Sequence, residues 1–192
     1  MSSYCDTAPG HPFHGPYHES EYGFPAYGEN TLFERLVMEI NQAGLSWLTV
    51  LKKRAAFFHA FGGFDPAVVA GYGEVDRTRL LGDASIIRNR RKIAAAIENA
   101  RRICAIGSEF GSFAGWLDAQ HPLAKAEWVA LFRNTFVFTG GGQAQVLDTS
   151  RGGEDGLGGE VYLRFVQELG GAEHLRAHRA EDEARCQQCH QP

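Results

Sequence analysis

From position 30 onward, apolar residues recur every three or four positions, and no stretch alternates apolar and polar residues for any length. That period belongs to helices rather than strands, so the fold class is all-α. Leu32, Phe33, Leu36, Val37 and Ile40 form one helical stripe, with a cap at Asn30 or Thr31 and a stop at Gly44. Ser46 can cap the next helix, whose stripe reads Val50, Leu51, Phe58 and Phe61 and whose cationic end reads Lys52, Lys53 and Arg54. Asp65 caps a third helix, with Pro66 at its first position. Residues 75–81 and a longer segment from Ile86 or Arg88 to Ile106 read as two helices around a tight turn. Short helices follow in "EFGSFAGWLDAQ" and "AKAEWVALFRN", and another in "EVYLRFVQELGG".

Two regions break the pattern. Residues 1–29 are rich in Gly, Pro, His and Tyr and read as an ordered, non-helical arm. Residues 142–159 are crowded with glycine and read as a flexible insertion. A chain of 192 residues suits one domain, 1–192, carrying this arm, this insertion and a charged tail at 170–192.

Charge narrows the partners. The formal net charge is −4, so a nucleic-acid surface has to be a local patch. The N-terminus has no basic and then apolar run typical of an export signal, and no stretch approaches a membrane span. A cytoplasmic location is expected, with no membrane partner and thiols kept reduced. Of the four cysteines, Cys104 reads as a small buried hydrophobe. Cys5, with His11, His14 and His18, and Cys186 and Cys189, with His174, His178 and His190, group thiols and imidazoles at both ends. That donor set points to zinc. "CQQCH" also matches a haem-attachment string, but too little chain follows it to build a haem pocket.

Three constellations carry candidate chemistry. Arg77, Arg79, Arg88, Arg90, Arg91, Lys92, Arg101 and Arg102 face only Asp83 and Glu98 across the predicted tight turn. A helix start beside "RNRRK" would clamp phosphates without reading sequence, although a solvated helix face explains the same composition. Glu39 lies beside the apolar stripe one turn before Gly44, and Trp47 follows that break. A carboxylate beside aromatic walls can receive a cationic heterocycle. In "YHESEYG", Tyr17 and Tyr22 flank a histidine and two carboxylates, offering pocket walls and a metal ligand in His18.

"YHESEYG", "LFERLVMEINQAGLSWLTVLKKR", "FDPAVVA" and "LLGDASIIRNRRKIAAAIENAR" together resemble the 3-methyladenine DNA glycosylase I (Tag) family, densely from Tyr17 to Ile103. The resemblance implies a helix-hairpin-helix DNA glycosylase fold with a structural zinc stapling the N- and C-terminal segments. It implies base-excision repair in which 3-methyladenine is flipped out of alkylated double-stranded DNA and its N-glycosidic bond hydrolysed. By position it assigns Glu39 to the flipped base as the catalytic-site acid, Tyr17, Tyr22 and Trp47 to the base pocket, and Leu80 to Arg91 to the hairpin that grips the backbone. Arg88, Arg90, Arg91 and Lys92 supply the DNA-binding charge. Cys5 and His18 are the implied N-terminal zinc ligands, completed by His178 and Cys186, with His174 or Cys189 as alternatives. A monomer needing no protein partner is expected. Tyr22 stands where the family usually has tryptophan, and His14 where a tyrosine lines the pocket. A zinc-stabilised DNA-binding protein that is inactive or shifted in lesion preference is the competing expectation.

Overall fold

The computed structural model describes residues 4–22, 26 and 28–139, and all regular structure among them is helical. The expected helix at 160–169, the 142–159 insertion and the tail with His174, His178, Cys186 and Cys189 lie outside the described residues.

The helices are α1 (Tyr4–Thr7), α2 (His14–Ser20), α3 (Glu29–Gln42), α4 (Trp47–Ala60), α5 (Pro66–Ala70), α6 (Glu74–Gly82), α7 (Arg90–Phe110), α8 (Phe113–Ala119) and α9 (Lys125–Thr135), with a 3₁₀ turn at Gly62–Phe64. One continuous apolar core joins α3 to α9. The long helix α7 packs against α3, α5, α6 and α8 through a face that includes Ile93, Ile97, Ala100 and Ile103. Asn89 opens α7 by accepting hydrogen bonds from the Arg91 and Lys92 amides, and left-handed Gly111 closes it.

Two distant polar ties complete the frame. The Glu29 carboxylate accepts from the Phe113 amide at 2.9 Å and caps α8. Fully buried Asn99 pairs with both backbone groups of Val137, donating at 3.0 Å and accepting at 2.7 Å.

The structure corrects several expectations. The arm at 1–29 is not non-helical, because α1 and α2 fold within it. Pro16 sits in the first turn of α2, where a missing N–H costs no helical bond, so the proline that suggested a loop is compatible with the helix. Helix α3 begins at Glu29, behind Gly28 in a left-handed conformation, so neither Asn30 nor Thr31 caps it; the Asn30 amide donates instead to the Gly63 carbonyl.

In α4 the buried position is Phe57, while Phe58 is 48% exposed. Seven residues from Val50 return to nearly the same face of a 3.6-residue turn, and eight overshoot it. Nor does α4 end on its three cations; it continues to Ala60, leaving Lys52, Lys53 and Arg54 in mid-helix and able to bind sideways.

Candidate active site

A turn and two helical spacings build a cleft. Gly44, at φ 79°, lets the chain reverse between α3 and α4, and Ser46 caps α4 by accepting from the Thr49 amide at 3.2 Å. On α3, Arg35 and Glu39 stand four apart, as do Glu34 and Met38; on α4, Trp47, Leu51 and Arg54 repeat at helical spacing. These side chains, with Tyr17 of α2 and Glu21 at its end, line a narrow cleft that opens to solvent.

The expected base-binding residues are largely brought together. Glu39 is 8% exposed, so its carboxylate belongs to the cleft and not to bulk solvent. Tyr17 is buried and meets Trp47 edge to face, ring centroids 5.2 Å apart. Tyr22 does not line the cleft; its ring meets Tyr17 at 6.3 Å and stacks on His18 at 5.9 Å. His14 is also set away from the cleft, with its Nδ1 2.9 Å from the Tyr4 hydroxyl.

The cations of α4 serve three ends. Arg54 donates through Nε and Nη2 to the two Glu34 oxygens at 2.7 and 3.2 Å, and through Nη1 to Glu21 at 2.5 Å. Burial opposes its charge, but the bonds to Glu34 and Glu21 outweigh it and hold the guanidinium above its ordinary pKa. Lys53 donates to the Ala84 and Ser85 carbonyls at 3.3 and 2.7 Å, gripping the turn between α6 and α7. Lys52 lies over the Phe13 ring, 5.7 Å from its centre.

That turn is further braced by Asp83, which accepts from the Ser85 amide at 2.9 Å. The Ser85 hydroxyl and amide bonds lower the Asp83 pKa. Of the eight basic residues flanking the turn, five are used within the fold. Arg77 and Arg79 pair with Glu74 and Asp76, while Arg101 and Arg102 share Glu98. Lys92, expected on the DNA face, is 5% exposed and donates to the Asn41 and Ala43 carbonyls at 2.9 and 2.6 Å, closing the C-terminus of α3. Burial pushes its ammonium down to about 8. Arg88, Arg90 and Arg91 are exposed and enter none of the ion pairs among the described residues.

Lys53 and Lys92 therefore tie the α6–α7 turn and the α3–α4 turn to each other. The basic edge and the cleft wall that carries Trp47 belong to one rigid unit. Sequence reasoning missed Lys53 in this role, the Glu21–Arg54–Glu34 cluster, and Leu45. Leu45 is 40% exposed between Gly44 and Ser46; the signal available was a bulky apolar residue standing outside any helical stripe.

Of the four ligands that the family resemblance implies, Cys5, His18, His178 and Cys186, only His18 has a described side chain. Its ring lies 5.5 Å from that of Tyr4, which neighbours Cys5 on α1. Cys5 stands on α1 and His18 on α2, two neighbouring short helices. No cluster of three or more candidate ligands occurs among the described residues.

Known proteins resemble this chain in sequence and in fold. DNA-3-methyladenine glycosylase 1 of Escherichia coli (strain K12) is 47% identical over 97 residues, covering 50% of this chain and 52% of that protein. The DNA-3-methyladenine glycosylase of Haemophilus influenzae is 39% identical over 100 residues, covering 50% of this chain and 54% of that protein. The matched part is thus about half the length of these curated relatives. A crystal structure of 3-methyladenine DNA glycosylase I (TAG) superposes with a TM-score of 0.65 at 31% identity, covering 88% of this chain and 94% of that one. The Staphylococcus aureus 3-methyladenine DNA glycosylase I, solved to show the structural basis of 3-methyladenine recognition, gives a TM-score of 0.64 at 25% identity, covering 88% of this chain and 92% of that one. The family model for methyladenine glycosylase matches residues 7–133, which include every cleft residue and the α6–α7 turn; the chain belongs to the methyladenine glycosylase family.

Proposed function

We propose that this protein removes 3-methyladenine from alkylated double-stranded DNA by hydrolysing its N-glycosidic bond. The observation that carries the reading is the Glu39 carboxylate set in a cleft beside the Tyr17 and Trp47 rings. Methylation at N3 makes the adenine cationic, and such a cation suits a carboxylate that accepts its N–H donors and aromatic rings that attract its charge. Tyr17 and Trp47 touch edge to face, leaving no slot between them, so the base lies against a ring face rather than sandwiched.

The exposed Arg88, Arg90 and Arg91 take the phosphate backbone, and the α6–α7 turn presents its amides beside them. Flipping the lesion costs a few kcal/mol, less for a damaged base. Leu45, exposed two residues before Trp47, is the apolar group placed to fill the gap in the base stack. The glycosidic bond to a cationic purine is already weak. Its electron pair returns to the ring, the base leaves neutral, and water adds at the anomeric carbon and gives up a proton to solvent. Glu39 recognises the base and stabilises its charge, and the reaction needs no strong general base. No described helix is long and apolar enough to cross a membrane.

The test is to incubate methylated duplex DNA with the protein and separate the released bases by chromatography. Release of 3-methyladenine is expected. Release of a different methylated base supports a shifted lesion preference, and a salt-sensitive DNA shift without release leaves only a DNA-binding protein.

Zinc is the second part of the proposal. Cys5 and His18, joined by two of His174, His178, Cys186 and Cys189, would hold one ion and staple the two ends of the chain; its chemistry there is structural. One zinc per chain is expected by elemental analysis. Replacing Cys5 and His18 together with alanine should lower the melting temperature. A metal-free protein of unchanged stability rules the zinc out.

A further inference from the structure

We infer that Arg54 is the positioning residue of the base cleft: clamped between Glu34 of α3 and Glu21 at the end of α2, its guanidinium holds α2 in place so that Tyr17 stays against Trp47. The inference rests on the glycosylase reading for its functional consequence, and on geometry for the rest.

The helix α2 has seven residues, too few to be stable alone. Its placement depends on what it binds. It buries Gly15 and Tyr17, but the main apolar cluster is built from α3 onward. Beside the Tyr17–Trp47 ring contact, its C-terminal end is tied by charge. Glu21 receives Arg54 at 2.5 Å, and Arg35 reaches both the Glu21 carboxylate at 3.8 Å and its carbonyl at 3.4 Å.

Arg54 suits this task as no other cation would. Its planar fork takes both oxygens of Glu34, and its remaining arm turns to Glu21. Lysine, a single ammonium point, cannot reproduce that two-sided grip. The three side chains are only 13–31% exposed, so solvent screens them less than a surface pair. Helices α3 and α4 do not need this bridge, because Val37, Ile40, Val50 and Phe57 already share their core. The consequence of losing Arg54 therefore falls on α2. Glu21 and Glu34 would also be left as neighbouring carboxylates beside Glu39, with one guanidinium fewer to offset them.

The experiment compares the full chain with Arg54→Met, Arg54→Lys and Glu21→Gln. Single-turnover base release at saturating DNA is expected to fall about ten- to hundred-fold in Arg54→Met, with apparent DNA affinity unchanged. Glu21→Gln should reproduce most of that loss while keeping the Arg54–Glu34 pair, and Arg54→Lys should recover only part of it. Hydrogen exchange should quicken across residues 14–22 and stay slow in α3, α4 and α7. Unchanged exchange at 14–22 in Arg54→Met overturns the inference, as does an impaired Arg54→Met beside a fully active Glu21→Gln, which would place Arg54 in direct contact with substrate. Should the unaltered protein release no base, the glycosylase reading fails, and the exchange data still decide whether Arg54 holds α2.

Discussion

Glu39→Gln is expected to slow 3-methyladenine release at least about ten-fold, a loss of about 1.4 kcal/mol or more in transition-state stabilisation. Binding to undamaged duplex should be unchanged. The substitution keeps the shape of a side chain that is 8% exposed and packed in the cleft wall among Met38, Trp47 and Leu51, so what it removes is charge. Gln fills the same space, so the variant should melt within a few degrees of the parent. Falling activity with nearly steady stability is the signature of a group kept for its chemistry rather than for packing. Equal rates for parent and variant would remove Glu39 from the reaction and leave the cleft without its recognition element.

Glu39 was legible in the sequence because helical phase exposes it. It lies three residues after Leu36 and one turn before Gly44, so a regular α3 must aim it near the apolar stripe and toward whatever follows the turn. The same logic placed Trp47 after the Ser46 cap. Phase could also have found Lys92, which shares its helix face with Ala96, Asn99 and Ile103. Composition hid it among neighbouring arginines, and only its bonds to the end of α3 show that this cation points inward.

Other features have no local signature. The helix α2 is too short for periodicity to declare itself, and its proline and glycine mimic a loop. The Arg54 bridge joins residues 20 and 33 positions away, so no window along the chain contains it. Three consecutive cations read as a helix end because that is where isolated helices favour them. Here tertiary partners on three sides override the preference: the turn for Lys53, two carboxylates for Arg54, and the Phe13 ring for Lys52.

The second large effect belongs to the basic edge. Replacing Arg88, Arg90 and Arg91 together with serine should weaken duplex binding regardless of sequence. Each phosphate that is no longer neutralised flattens the dependence of log affinity on log salt by about 0.9, so three would flatten it by about 2.7. The melting temperature should hardly change, since all three side chains are exposed and enter no ion pair among the described residues. At DNA concentrations high enough to saturate the variant, the rate of base release should approach that of the parent, because the cleft is untouched. Lys92→Met is the contrasting control: it should leave the salt slope nearly unaltered while loosening the turn that carries Trp47, lowering the rate at saturation instead. If the triple variant keeps the parent's salt slope, the backbone is held by another face of the protein, and the ties through Lys53 and Lys92 would then join the cleft to a turn that never meets DNA.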